Sequence, residues 1–385
     1  MYYLLGEVIS KVSPFLLLPL ISNAYGLTNT AYYSNVLIYA NVIQMLMTGW
    51  IVAYIPISYI KSVKRCKILV RMVMMSNMAL LIFFSVLSLF FEGSLFTYSF
   101  ILSCGFSINS MYLIILQVKG EAKSYVLFNT YKSTTILVLS ALLVYYSLGD
   151  INHIVNINIV CTLVFSMFSI YKLFSIGYLS VGITSYKLIV RVVKFGFPLI
   201  PGMLLVPAKS IVDRFFISDF FGTEVEGVYV IAFQYSLGVS LIAMSYVKSI
   251  TPELLGGLNE DKRGIVAKLF YKYLIFVLIA SCCLLLFILF GRGALFPNYN
   301  GSINFLVVFI VAVLFQVSSS FMTSYYQVKL KTKVLMMVNF LFFLINIIVL
   351  YSFGSSSIFI YMLIVLFISL CQFIALYKLG FKDAI

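Results

Sequence analysis

The sequence predicts an all-α integral membrane protein of about twelve transmembrane helices, arranged as two six-helix bundles in parallel repeat. Three observations predict it. Of the 385 residues, 63% are hydrophobic and 10% charged, whereas an ordinary soluble domain carries about 25% charged residues. Apolar runs near the roughly 20 residues that cross a bilayer recur from end to end. Segments of the first half also reappear, in order, in the second.

Apolar runs between polar breaks give spans over 3–24, 32–60, 68–91, 95–117, 125–148 and 154–175, then 190–218, 225–248, 264–290, 301–326, 334–352 and 357–377. The first, within "MYYLLGEVISKVSPFLLLPL", lacks a basic start and a small-residue cleavage site, so it reads as a retained span and not a signal peptide. It carries Glu7 and Lys11 at i, i+4, then Pro14 and Pro19. Span two carries a polar row of Asn41, Gln44 and Thr48, and span four one of Ser103, Ser107, Ser110 and Gln117. Span five adds Asn129 and Lys132, and span eleven Asn339 and Asn346. Span seven, in "KFGFPLIPGMLLVPAKSIVDRFF", holds Pro198, Pro201 and Pro207, then Lys209, Asp213 and Arg214.

The connections sort by charge. Those after even-numbered spans read "KSVKRCK", "KGEAK", "KLIVRVVK", "NEDKR", "KLKTK" and a final "KLGFK". Those after odd-numbered spans carry Glu92, Asp150, Asp219, Glu224 and Glu226, with Arg292 the one clear cation. Lys and Arg mark the cytoplasmic side, which places both termini there. The formal net charge of +14 therefore records topology and not nucleic-acid binding, although such loops could also hold anionic lipid or a partner enzyme.

Other classes fall away. Cys66, Cys104, Cys161, Cys282, Cys283 and Cys371 have no metal-ligand spacing and read as free thiols. His153 is the only histidine, so no His-based metal site or triad is available, and no G-x-x-x-x-G-K-[ST] run is present. No cofactor is implied. The outer connections are too short to form a catalytic domain.

The duplication rests on fixed offsets. "YGLTNTAYYSNVLIYA" (25–40) matches "FGTEVEGVYVIAFQYS" (221–236), setting Gly26, Tyr33, Tyr39 and Pro56 on Gly222, Tyr229, Tyr235 and Pro252. "QVKGEAK" (117–123) matches "QVKLKTK" (327–333), setting Asn129 on Asn339. Six spans per copy leave both lobes in one orientation, as in transporters whose halves are related by an axis along the membrane normal. The lobes are 1–178 and 179–385.

Spans one and seven, equivalent by repeat, are both charged and both proline-interrupted. A central charge costs roughly 2.5–3.5 kcal/mol on insertion scales. Such charges are tolerated when paired or facing a watery cavity, so both helices read as cavity walls and hinges. The alternative is that Glu7–Lys11 and Lys209–Asp213 are structural pairs. Likewise the amide and hydroxyl rows suit a sugar-binding lumen, or else interhelical bonding of the kind any bundle uses.

The order "KFGFPLIPG…IVDRFFISDFFG…GVYVIAFQYS", with "LFPNYNGSINFL" and "VKLKTKVLMMVNFLFFLINIIVLYSFG", resembles bacterial polysaccharide flippases. These are the Wzx-type exporters of lipid-linked O-antigen repeat units, in the multidrug/oligosaccharidyl-lipid/polysaccharide (MOP) exporter superfamily. The resemblance implies two bundles forming a V, as in MATE proteins of that superfamily, in the bacterial inner membrane. It implies an undecaprenyl-diphosphate-linked oligosaccharide moved from the cytoplasmic to the periplasmic leaflet by alternating access, for O-antigen and lipopolysaccharide biosynthesis. Lys209, Arg214, Lys11 and Lys132 would meet the diphosphate or acidic sugars, with Asn129, Asn339 and Gln44 on the glycan. Asp213 and Glu7 would couple an ion or proton, and Pro14, Pro19, Pro198, Pro201 and Pro207 would bend. Besides membrane lipids, an O-antigen polymerase and a chain-length regulator would be partners. Two rivals stand: a multidrug/cation antiporter of the same superfamily, whose cavity should be acidic, and an O-antigen polymerase, which should show a sizeable periplasmic loop.

Overall fold

The computed structural model describes residues 16–87, 94–146, 149–179, 190, 193, 199–259, 263–295, 302–328 and 332–379. Among them there is no strand. The helices are α1 (Leu16–Tyr25), α2 (Leu27–Gln44), α3 (Trp50–Lys61), α4 (Val63–Leu87), α5 (Ser94–Val118), α6 (Ala122–Tyr145) and α7 (Ile151–Ser175). Then follow α8 (Leu199–Phe221), α9 (Thr223–Asn259), α10 (Arg263–Leu295), α11 (Ser302–Val328), α12 (Thr332–Phe353) and α13 (Ile358–Lys378). Eight helices among the described residues are long and apolar enough to cross a membrane, Leu27–Pro56 counting as one. The protein is a multi-pass membrane protein.

Two differences from the sequence reading have physical causes. Span two is not one regular helix: a π turn at Met45–Gly49 separates α2 from α3. Hydropathy cannot register one, because inserting a residue into the hydrogen-bond ladder leaves composition unchanged. α9 runs to Asn259, eleven residues beyond the expected 248. Hydropathy marks only the lipid-embedded part, whereas the helix continues until its backbone bonding stops.

The chain divides into two compact units, Met1–Ile211 and Val212–Ile385, the border falling inside α8. In the first, α5 packs between α2 and α7, with α3 on α4 and α6 on α7. In the second, α11 packs between α9 and α13, with α10 on α9 and α12 on α13. The fourth helix of each copy thus packs between the second and sixth, as a duplication requires. The entry turns agree as well. Gly26 (φ +83) donates to Ser22 O (3.1 Å) and Gly222 (φ +90) to Ser218 O (3.0 Å). Each Gly carbonyl then accepts the first bond of the next helix, from Thr30 N and Glu226 N, both at 3.2 Å. Positive φ is cheap only for glycine, which is why these two positions stand out in both copies.

Polar groups bond across the helices of both units. α5 and α7 meet at Gly105, whose carbonyl accepts Ser166 Oγ (3.1 Å), while Asn109 Nδ2 donates to Thr162 O (3.3 Å). Small residues let the backbones approach, and the serine and asparagine groups bond across. In the second unit tyrosine hydroxyls also bond backbone carbonyls across helices. Tyr273 donates to Val317 O (2.8 Å) and Tyr326 to Leu376 O (2.7 Å), with the Tyr229 ring edge-on to Phe309 at 5.0 Å.

Candidate functional site

In the first unit the informative residue is Lys132. It lies ten positions into α6, about 15 Å along the axis and near the middle of a helix long and apolar enough to cross a membrane. Its ammonium stands 5.2 Å from the centroid of the Phe106 ring on α5. Among the described residues no carboxylate pairs with it. Asn129, one turn earlier, is buried (8% exposed), and its carbonyl accepts Ser133 Oγ (2.6 Å). A ring face is a weak counter-ion, contributing about 0.5–2 kcal/mol, so this cation remains available to an anion.

The polar rows of spans two and four do not stand free. Ser107 Oγ donates to Thr48 Oγ1 (2.7 Å), Thr48 Oγ1 to Gln44 O (3.1 Å), and Gln44 Nε2 to Ser110 Oγ (3.4 Å). Asn77 Nδ2 of α4 joins them through Ser107 Oγ (3.0 Å). The π turn sits inside this ladder, its Thr48 hydroxyl bonding the carbonyl that opens the turn. Two of the bonds between these rows cross between helices, so Gln44, Ser107 and Ser110 tie α2 and the π turn to α5.

Lys209 lies half-buried on α8 and has bonding partners. Pro207 is interior to the same helix and removes the amide that would bond the carbonyl of residue 203. Pro201 lies in α8 and Pro19 in α1, where Ser22 Oγ donates to the Pro19 carbonyl (3.1 Å). Glu7, Lys11, Pro14 and Pro198 lie outside the described residues.

The second unit is organised around Asp213, 3% exposed. Its Oδ1 accepts Asn346 Nδ2 of α12 (3.1 Å), its Oδ2 accepts Tyr229 Oη of α9 (3.4 Å), and its backbone carbonyl accepts Tyr361 Oη of α13 (3.0 Å). Arg214 and Glu226 are buried in the same unit. Two helices thus reach the carboxylate, one neutral donor on each of its oxygens, and a third holds the backbone carbonyl of the same residue. Such a group can take a proton or a small cation without losing its frame. Asn339 lies two turns before Asn346 on α12, and its Oδ1 accepts Gln372 Nε2 of α13 (2.9 Å).

The sequence reading found Asp213 but not its frame. Asn346 was visible in the polar row of span eleven, and Tyr229 in the repeat match to Tyr33. Tyr361, one of 28 tyrosines, carried no signal. Between α12 and α13 a cavity of about 560 Å³ is lined by Phe342, Ile345, Val349, Leu363, Phe367 and neighbouring apolar side chains. Apart from the weakly bonding Cys371 thiol it offers a glycan no side-chain hydrogen-bonding group.

No protein-family model and no curated relative matches the chain. Solved structures do. The chain is similar to an inward-facing multidrug-resistance MATE family transporter of the MOP superfamily, at TM-score 0.69 and 14% identity over 99% of this chain and 93% of that one. An outward-facing MATE family transporter matches at TM-score 0.67 and 12% identity, over 100% and 94%. So does a MOP superfamily transporter from Pyrococcus furiosus, described as having a binding pocket of reverse polarity, at TM-score 0.68 and 12% identity over 100% and 94%. The fold is that of the MOP transporters. At such identities the likeness extends to the fold alone.

Proposed function

We propose that the protein is a secondary transporter of the MOP superfamily that flips undecaprenyl-diphosphate-linked O-antigen or other polysaccharide repeat units from the cytoplasmic to the periplasmic leaflet. The observation that carries this reading is Lys132, an ammonium midway along an apolar helix of membrane-spanning length, with a ring and, among the described residues, no carboxylate beside it. An anionic diphosphate supplies what that position lacks, and a cationic drug would be repelled from it. Lys209, Arg214 and Lys11 are the further cations of the proposed path, with Asn129, Asn339 and Gln44 along the glycan. Asp213, and by repeat Glu7, would bind the coupling ion or proton. Only a ligand that binds the two states differently can drive the cycle, and a carboxylate bonded from two other helices is suited to sensing which state they adopt.

A second reading has support of its own. The MATE likeness, with buried Asp213 and Glu226 in the second unit, fits a multidrug/cation antiporter. The Pyrococcus protein's description as a transporter with a pocket of reverse polarity supports the view that pocket charge, not fold, separates such functions.

Deletion of the gene in its host, followed by analysis of lipid carriers and surface glycan, separates these. The flippase reading expects lipid-linked repeat units to accumulate facing the cytoplasm and none to reach the surface. Single unpolymerised units at the surface would favour a polymerase. Unchanged glycan with new sensitivity to cationic drugs would establish drug export.

A further inference from the structure

The basic end of the first unit carries a cluster that the transport reading does not use. α7 closes with Gly177 (φ +74) donating to Phe174 O (2.9 Å) and Tyr178 N to Leu173 O (2.9 Å). In this paired closure the second residue past the helix folds back on its last turn. Tyr178 is thereby buried (2% exposed) in the apolar cluster of Leu173, Leu69, Ile115 and Leu116. α5 closes the same way: Gly120 (φ +77) donates to Gln117 O (3.1 Å) and Glu121 N to Leu116 O (2.9 Å). That fixes Lys119 and Glu121 on either side of the glycine.

The two closures meet. Lys119 Nζ lies 5.5 Å from the Tyr178 ring centroid, and Lys67 Nζ, from the start of α4, lies 5.9 Å from the same ring. Glu121 Oε1 is 3.5 Å from Lys119 Nζ. Among the described residues Lys67 has no carboxylate partner. Two ammoniums on one ring repel, and one exposed carboxylate with a ring quadrupole offsets only part of that. Lys64 and Arg65 are exposed at this end and add to the positive field.

The geometry points to a site here for the phosphate of an anionic membrane-lipid headgroup, bridged by Lys67 and Lys119 over the Tyr178 platform. The cluster stands where the apolar spans end, on the side that the charge pattern assigns to the cytoplasm. Anionic lipids of that leaflet are drawn to juxtamembrane bases. A phosphate provides the charge and the acceptors that two ammoniums require. The platform is prebuilt, since both helix ends are locked by their own backbone bonds. This site is independent of what the protein transports.

The test uses the purified full chain in detergent, with lipid retention read by native mass spectrometry and stability by thermal unfolding. Phosphatidylglycerol should be retained and should stabilise more than phosphatidylcholine, with the difference shrinking as salt rises. Lys67→Gln and Lys119→Gln should each weaken retention about fivefold. Lys67→Arg, and Lys123→Gln on the neighbouring turn, should stay near wild type. Equal retention of the two lipids by the wild-type chain would overturn the site. So would Gln variants that retain phosphatidylglycerol as the wild type does. Inorganic phosphate that stabilises as well as the lipid would overturn the assignment to a headgroup.

Discussion

Lys132 is the residue on which the substrate reading turns, because a mid-membrane charge is kept only where something requires it. If it receives a phosphate, Lys132→Gln removes one charge-assisted bond, about 1.5–3 kcal/mol, and should lower transport of a lipid-linked diphosphate some tenfold to hundredfold. Lys132→Arg should retain most of it. Equal activity of the Gln and wild-type proteins in a complementation assay of surface glycan would remove Lys132 from the path. Asp150 poses a different question at the same scale. It caps α7 by accepting from Asn152 N (3.1 Å) and His153 N (3.4 Å), while His153 Nδ1 sits 2.7 Å from its Oδ1. The hydrogen bond from His153, then that from Asn152, holds the carboxyl below its ordinary range. A carboxylate depressed in the folded state stabilises above its unfolded pKa, and that contribution is lost as pH falls through the folded one. Asp150→Ala should therefore lower the thermal midpoint at pH 7, with the gap to wild type closing below about pH 4. Asp150→Asn, a cap without the charge, should lower the midpoint at pH 7 by less than alanine does and should match wild type in acid. A gap that persists in acid would show that the cap works without its charge.

Elements were legible where composition alone makes them and illegible where packing does. The helices stand out because crossing hydrocarbon demands length and apolarity, and every span expected within the described residues is a helix. The π turn at Met45–Gly49 was not visible, nor was the frame of Asp213. Its partners lie 16, 133 and 148 residues away, and only the packed bundle says which amide or hydroxyl arrives. Gly105 lies between these cases: a glycine in an apolar run is visible, but its purpose is not. A Cβ there would stand 2.5 Å from Thr162 Cγ2 and 3.3 Å from Ser166 Oγ. Gly105→Ala should push α5 from α7 and cost about 1–3 kcal/mol, read as a lower thermal midpoint in detergent. Thr162→Ser deletes the offending methyl and keeps the hydroxyl that bonds Asn158 Oδ1 (3.3 Å). Gly105→Ala with Thr162→Ser should therefore recover much of the loss. A double variant no better than the single would place the close approach elsewhere.

At the scale of the whole molecule, the repeat offsets and the contacts divide the chain at different places. The offsets put the joint near 176–187, between the sixth and seventh spans, whereas the contacts put it between Ile211 and Val212, inside α8. The two answer different questions. A duplication joins whole genes, so its seam must fall in a connection, while packing assigns each residue to whatever surrounds it, and one helix can belong to both units. A cut in the chain distinguishes them. Severing 186 from 187 leaves every described helix intact, and fragments 1–186 and 187–385 produced together should restore surface glycan in a deletion strain. Severing 211 from 212 breaks α8 in its interior. It also opens up to four carbonyls and four amides with no intrahelical partner, in surroundings where each unsatisfied group costs several kcal/mol. Fragments 1–211 and 212–385 should not complement, even when both reach the membrane. Complementation by the second pair would mean that α8 is already divided in the working protein, its proline-rich half moving with one unit and its Asp213 half with the other. Failure of the first pair would mean that the covalent joint itself is needed to pass motion between the copies.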